Sequence, residues 1–402
     1  MQIAPSPGIV KVDETDAARA RRYTSPMLEE QVKDPAAPAQ LRTDRPKPSA
    51  RRREIAAAPA VAVVTLVVAL LATDAADVRF RDPDNVAAGY VAMMVAAVAL
   101  LVGLDIFLTA RRTSGGARPT RAALAAVRRT RWTWQRMAAA GTALFSFYLT
   151  YLAYRNLKGV LPFLREGVLF DRELREVDHA IFAGHDPAAL LHDLLGTGIS
   201  AHVLSTIYVA FIVFLPLSLA IALVFARHLP TSLLFATALS LNWLIGAASY
   251  FLLPALGPFY ADPAAFDVLP QTKVTYLQGV LLEDRVGFLR DPETATPQAI
   301  AAFASLHIAM SVTALGAAHF LRLPRRLVMG LWVWLGVSWI ATIYLGWHYV
   351  LDNVAGVVIG LGSLWLARVL TGYDPRAERG AEAAVTVEEP VAAAGRRDVR
   401  VS

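Results

Sequence analysis

The run Y-L-G-W-H-Y-V-L-D-N-V-A-G at residues 344–356 places His348 and Asp352 four residues apart between two long apolar stretches. On a helix that spacing puts both side chains on one face. A carboxylate held there fixes the imidazole tautomer and raises its basicity, which is what a histidine needs if it is to attack an electrophile rather than hold a proton. Upstream, T-P-Q-A-I-A-A-F-A-S-L-H-I-A-M brings Ser305 and His307 to the start of another apolar run. Ionisable groups in membrane helices are costly and default to functional readings. A lone histidine near a helix end is more often interfacial, and His202, His228 and His319 are read that way. His307, His348 and Asp352 differ because they fall at one depth on one side. Two histidines and an aspartate could also hold zinc, but H-x-x-x-D beside a distant histidine is a weak ligand pattern and no further ligand lies nearby. No metal site is assigned.

The elements that position these residues follow from composition. The chain has 402 residues, of which 55% are hydrophobic and only 18% charged, a membrane protein's profile. A spanning helix needs about 20 mostly apolar residues. Eight stretches qualify, near 56–73, 86–108, 137–157, 202–226, 231–256, 299–321, 327–346 and 350–370. The expected fold class is therefore all-α, a polytopic membrane helix bundle of eight transmembrane helices. The first apolar run arrives too late for a secretory signal and reads as a signal anchor. Cysteine is absent, so disulfides, thiolate catalysis and cysteine-ligated metals are excluded. The formal charge of +6 does not point to nucleic acid, because the arginines cluster between spans, where they set orientation.

Seven arginines between 111 and 131 with no acid among them, and Arg51 to Arg53 before the first span, should be cytoplasmic. The turns at Arg227-His228 and at Arg322 to Arg326 then fall on the same side. Asp74 to Asp84 and the long segments 158–201 and 257–298 fall outside. Both termini return to the cytoplasm, and residues 1–55 and 373–402, poor in large apolar side chains, are expected to be disordered tails. Residues 56–132 hold two spans and a basic loop, and 133–372 a six-helix core. Asp105, near the inner end of span two, is expected to reach water. Segment 158–201 shows helical spacing in Leu174, Val177, Ile181 and Phe182, and again in Leu190, Leu191, Leu194 and Leu195. It reads equally well as helices lying on the membrane surface and as a plain cap over the bundle.

A-S-L-H at 304–307 and G-W-H-Y-V-L-D at 346–352 resemble the second and third motifs of the type-2 phosphatidic acid phosphatase superfamily. The likeness is closer to its inositolphosphotransferase branch, which includes the inositolphosphorylceramide synthases. L-L-P-A-L-G-P-F-Y at 252–260 is similar to that branch's proline-aromatic motif. The resemblance covers about residues 135–372 and implies a six-helix core of the phosphatidic-acid-phosphatase type. It implies that His348 is a nucleophile forming a phosphohistidine, that Asp352 orients it, and that His307 protonates the leaving oxygen and later deprotonates the acceptor. It implies no metal or organic cofactor.

The departures from the family pattern narrow the substrate. The phosphatase branch carries K-x-x-x-x-x-x-R-P where this chain has the proline-aromatic run, and Ser-Arg where it has Ala341-Thr342. Phosphoryl transfer depends on neutralising phosphate oxygens, and a monoester carries about −1.5 to −2 charge where a diester carries one. A site short of cations suits a diester. The expected activity is an integral membrane phosphotransferase moving a phosphoryl headgroup, inositol phosphate by analogy, between a phospholipid donor and an alcohol or lipid acceptor, on the extracytoplasmic face of the cell membrane. A lipid phosphatase acting on a phospholipid or polyprenyl phosphate is the alternative. A transporter is third, since no convincing internal repeat is visible and the polar residues gather at one membrane face. Arg155 and Lys158 in Y-L-A-Y-R-N-L-K-G-V-L-P are the candidate substrate-binding cations, with Ser305 beside them; interfacial snorkelling is their other reading. Lys273, Arg285 and Arg290 are weaker candidates.

Overall fold

In the computed structural model, residues 48–82, 86–226, 229–295 and 299–374 are described. Most of both predicted tails, the Arg227-His228 turn and Thr296 to Gln298 lie outside them. The described residues form thirteen α-helices and no strand, as the all-α reading expected. In chain order these are α1 (Pro48–Ala75), α2 (Val86–Thr113), α3 (Arg121–Arg131), α4 (Trp134–Leu164), α5 (Asp171–Ile181), α6 (Pro187–Leu195), α7 (Ile199–Phe225), α8 (Leu229–Leu252), α9 (Pro258–Ala261), α10 (Lys273–Arg290), α11 (Leu306–Phe320), α12 (Arg325–Tyr344) and α13 (Val350–Thr371). Each of the eight expected spans corresponds to a helix. Six helices, α1, α2, α7, α8, α12 and α13, are long and apolar enough to cross a bilayer by length and composition. Of the other two, α4 is 31 residues long but carries Arg155 and Lys158, and α11 is a 15-residue apolar helix.

The helix α8 is apolar or small on every face, and such a helix belongs inside a bundle. It is the core of the fold, with α1, α4, α11 and α13 packed around it. Several of its buried polar groups bond within the bundle: Ser232 donates to Ala222 O at 2.6 Å, Thr237 to Leu233 O at 2.8 Å, and Asn242 Nδ2 to Thr313 Oγ1 at 2.8 Å. By contrast α2 presents Met93, Val95 and Leu100 outward, a surface suited to lipid rather than water.

Small residues set how closely helices approach. A Cβ on Gly356 would lie 2.5 Å from Ser305 O, and one on Gly360 2.5 Å from Ala309 O. Glycine at both positions lets α13 lie against the backbone of α11, which brings the two motif-bearing helix starts together.

Three expectations change. The span expected to begin at 299 begins as a helix at Leu306: residues 299–305 form an irregular strap, tied by Ala302 N–H to Ala255 O at 2.8 Å and Ala304 N–H to Ser249 Oγ at 3.0 Å. The span expected to run to 256 stops at Leu252, because Pro254 lacks an N–H and disfavours helix in the residue before it. Asp105 does not reach water. It is 4% exposed and accepts from Arg131 Nε at 2.6 Å and Trp132 Nε1 at 2.9 Å, an ion pair that ties α2 to the end of the basic connection.

Candidate functional site

The segment Leu345–Tyr349 links α12 to α13 as a tight loop with Gly346 at φ +72°, a left-handed conformation open to glycine. The loop is hydrogen-bonded from all sides. Thr342 O accepts from Trp347 N at 3.0 Å and His348 N at 3.2 Å. His192 Nε2 lies 2.8 Å from Tyr344 O and must donate there, since a carbonyl only accepts. Gln278 Nε2 donates to Leu345 O at 2.8 Å. Phe259 N–H donates to Gly346 O at 2.8 Å, and Gly257, at φ +96°, allows the proline-aromatic run to pass where a Cβ would lie 2.5 Å from Trp347 O.

Two carboxylates from α5 complete the clamp. Asp178 accepts the Val350 N–H at 3.1 Å, capping the start of α13. Asp171 accepts from Leu256 N at 2.9 Å, Gly257 N at 2.8 Å and the Tyr349 hydroxyl at 3.2 Å. Burial raises both carboxyls; Asp178 is pushed up to about 6, with the charge of Asp352 adding to the rise and the Val350 N–H opposing it. The buried face of α5 is therefore Asp171, Leu174 and Asp178, while Val177 and Ile181 are exposed. In α6 the buried residues are Pro187, Ala188 and His192, and Leu190, Leu194 and Leu195 face out. Of the apolar spacing read in the sequence, only Leu174 is fully buried. The inward faces are largely polar because they hold the loop.

His348 and Asp352 do meet, but not as expected along one helix face. The helix begins at Val350, so His348 precedes it, and Asp352 sits in its first turn and reaches back around the N-terminus. Its Oδ2 lies 3.4 Å from His348 Nδ1 and accepts the Tyr349 N–H at 2.9 Å. A carboxylate in the first turn also faces the positive end of the helix dipole. Since Nδ1 faces Asp352, Nε2 is the ring nitrogen turned away from the carboxylate. His307, in the first turn of α11, has its ring centroid 6.3 Å from that of His348. Tyr208 stacks between Trp347 at 5.2 Å and His307 at 4.3 Å, and Phe211 meets His307 at 4.2 Å.

The remaining candidates fall as follows. Ser305 is fully buried and joins the site through its backbone, its N–H donating to Asp352 O at 3.0 Å. Its Oγ, Trp347 Nε1 and Asp352 Oδ1 are buried without a partner among the described residues. Lys158 is close enough to His307 for their charges to repel, and its Nζ lies 5.9 Å from the Tyr250 ring centroid. Arg155 is half-buried one turn away on α4; Lys273 and Arg290 are exposed. Among the described residues no three His, Asp or Glu side chains converge in a metal-binding group. Thr342, at the position of the family arginine, is bonded instead to Asn353, whose Nδ2 donates to its hydroxyl at 2.9 Å. Asp171, Asp178, His192, Tyr208, Gln278 and Asn353 were not singled out from the sequence. Only the seven-residue spacing of the two aspartates, on one face of an amphipathic helix, could have signalled any of them.

Residues 172–366 match the family model of the PAP2 superfamily. This segment is a PAP2 domain. The protein is accordingly a phosphatase or phosphotransferase of the type-2 phosphatidic acid phosphatase superfamily. The PAP2 match takes in Asp178, His307, His348 and Asp352 and leaves α4, with Arg155 and Lys158, outside. No curated protein and no solved structure matches the chain.

Proposed function

We propose that this PAP2 enzyme is a phosphotransferase of the inositolphosphotransferase type, moving a phosphoryl headgroup from a phospholipid to an alcohol or lipid acceptor. The observation that carries the reading is the convergence of two imidazoles, 6.3 Å apart between ring centroids, one of them backed by a buried carboxylate. His348 Nε2 attacks phosphorus and forms an N–P bond as the P–O bond to the leaving alcohol breaks. His307 gives that oxygen a proton. The acceptor hydroxyl then returns a proton to His307 while its oxygen attacks phosphorus and the N–P bond breaks. Asp352 balances the charge that His348 gains.

The scarcity of cations supports a diester donor. Charge acts on His307 first from His348 and then from Lys158, whereas Thr342, in place of a family arginine, is committed to Asn353. A site that lacks the family arginine suits a phosphodiester's single negative charge better than a monoester's two. Arg155 and Lys158 are assigned to the phosphate oxygens, Ser305 to holding the start of α11 at Asp352. By the charge of the loops the site faces the extracytoplasmic side of the cell membrane, with both termini in the cytoplasm.

The test supplies phosphatidylinositol labelled in the inositol ring, with candidate alcohol and lipid acceptors, to the purified protein. Label in a new lipid is the expected result. Label released only as water-soluble inositol phosphate would make water the acceptor and the enzyme a phosphatase. Transfer by the His348→Ala variant at the wild-type rate would overturn both.

A further inference from the structure

Arg155, Lys158 and Arg165 recur at three and seven residues along the end of α4. At 3.6 residues per turn Arg155 and Lys158 lie on one face of α4, and Arg165 is the residue that caps its C-terminal end. Lys158 is close to His307, and seven residues on, about 10 Å along the helix axis, Arg165 lines a small half-open cleft of about 80 Å³. Its walls include Leu161, Val168, Leu169 and Leu256, and Arg285 enters it from α10. The Pro254–Leu256 wall belongs to the segment whose amides are held by Asp171, so the cleft is built against the same clamp that fixes the histidine loop.

The cations of this cleft are partly desolvated. Arg165 Nε is buried without a hydrogen-bond partner among the described residues. Burial moves the Arg285 pKa downward. Lys158 is close enough to both Arg155 and Arg285 for mutual repulsion. Desolvated like charges are costly, and a planar guanidinium with free N–H groups is the side chain best matched to phosphate oxygens. Apolar walls beside that charge match the junction of a headgroup and its acyl chains.

We propose that Arg165 and Arg285 form a phosphate-binding subsite, separate from the reacting phosphorus at His348, that takes the phosphoanion of a phospholipid headgroup or a free phosphate. The choice of ligand class rests on the phosphoryl-transfer reading; the binding does not need turnover. It is therefore measured in full-length His348→Ala protein, with tail-labelled phosphatidic acid in neutral detergent micelles. Activity retained by His348→Ala would sink the catalytic reading and leave the subsite standing, and loss of the subsite would leave the catalytic reading standing. Arg165→Gln and Arg285→Gln should each weaken binding about tenfold, the loss of a charge-assisted hydrogen bond, and Arg290→Gln, at an exposed site on the same helix, should not. Displacement by inorganic phosphate assigns the subsite to free phosphate as well; resistance to it assigns the lipid alone. Should a glutamine variant fail to fold, phenylglyoxal modification of otherwise wild-type protein decides, since bound phosphatidic acid should shield Arg165 and Arg285 at least severalfold more than Arg290. Unchanged binding by the double variant, equal weakening by Arg290→Gln, or no selective shielding would overturn the proposal.

Discussion

At the residue scale, two buried carboxylates hold other groups in place. Asp352 touches His348 Nδ1 and the Tyr349 amide with one oxygen. Asp352→Asn should keep the shape but lose the charge that steadies an imidazolium, lowering turnover about a thousandfold or more, by analogy with the aspartate of a catalytic triad. Steady-state rates of lipid headgroup transfer check this; a loss under tenfold would remove Asp352 from the mechanism. Asp178 gives a pH signature. Its carboxyl titrates at about 6 in the folded chain against about 3.9 unfolded, so between those values the native state holds a proton that the unfolded state lacks. The associated stability is complete below about pH 4 and is lost as pH rises through 6, about 3 kcal/mol in all. Thermal midpoints of wild type and Asp178→Asn, measured from pH 4 to 7, should diverge in this window, the variant lacking that component of the fall. Parallel curves would show that Asp178 is not the group responsible.

At the scale of elements, the site exists because two helices start at the same point. The α11 and α13 backbones meet through Gly356 and Gly360, where a Cβ would lie 2.5 Å from a carbonyl oxygen. Gly356→Val should force the starts apart, destabilise the bundle by about 1–3 kcal/mol and abolish transfer while leaving the protein in the membrane fraction; full activity would show that their approach is dispensable. The spacing of the histidines, the aspartate and the apolar runs was enough to place these helices and to name the trio. It did not reveal that His348 stands outside its helix, because an i, i+4 pair looks the same whether it follows a turn or folds back over an N-terminus. Nor did it reveal the clamp. Apolar periodicity in α5 and α6 was visible, yet of it only Leu174 is fully buried, because polar groups that hold a loop share the inward faces.

At the scale of the molecule, helices that expose Leu100, Val358 and Trp365 surround a polar site at one end of a bundle whose central helix is buried. This all-helical, membrane-type architecture was legible because spans are written in long apolar runs. The aromatic stack around His307 was not, since Tyr208 and Phe211 sit in an apolar run that carries no pattern of its own. Orientation is predicted from arginine placement. The chain has no cysteine, so single cysteines report sidedness directly. Arg290→Cys in intact cells should react with a membrane-impermeant maleimide, and Arg118→Cys should react only after permeabilisation. The reverse pattern would put the site on the cytoplasmic face.

The most direct test is to trap the covalent intermediate. Enzyme mixed with headgroup-labelled phospholipid in the absence of acceptor, quenched rapidly in alkali and digested, should yield an acid-labile headgroup-phosphoryl adduct on His348, missing from His348→Ala and formed more slowly in His307→Ala, which lacks the proton donor for the leaving oxygen. Turnover by wild type with no such adduct at any quench time, or the same adduct on another residue, would contradict the account.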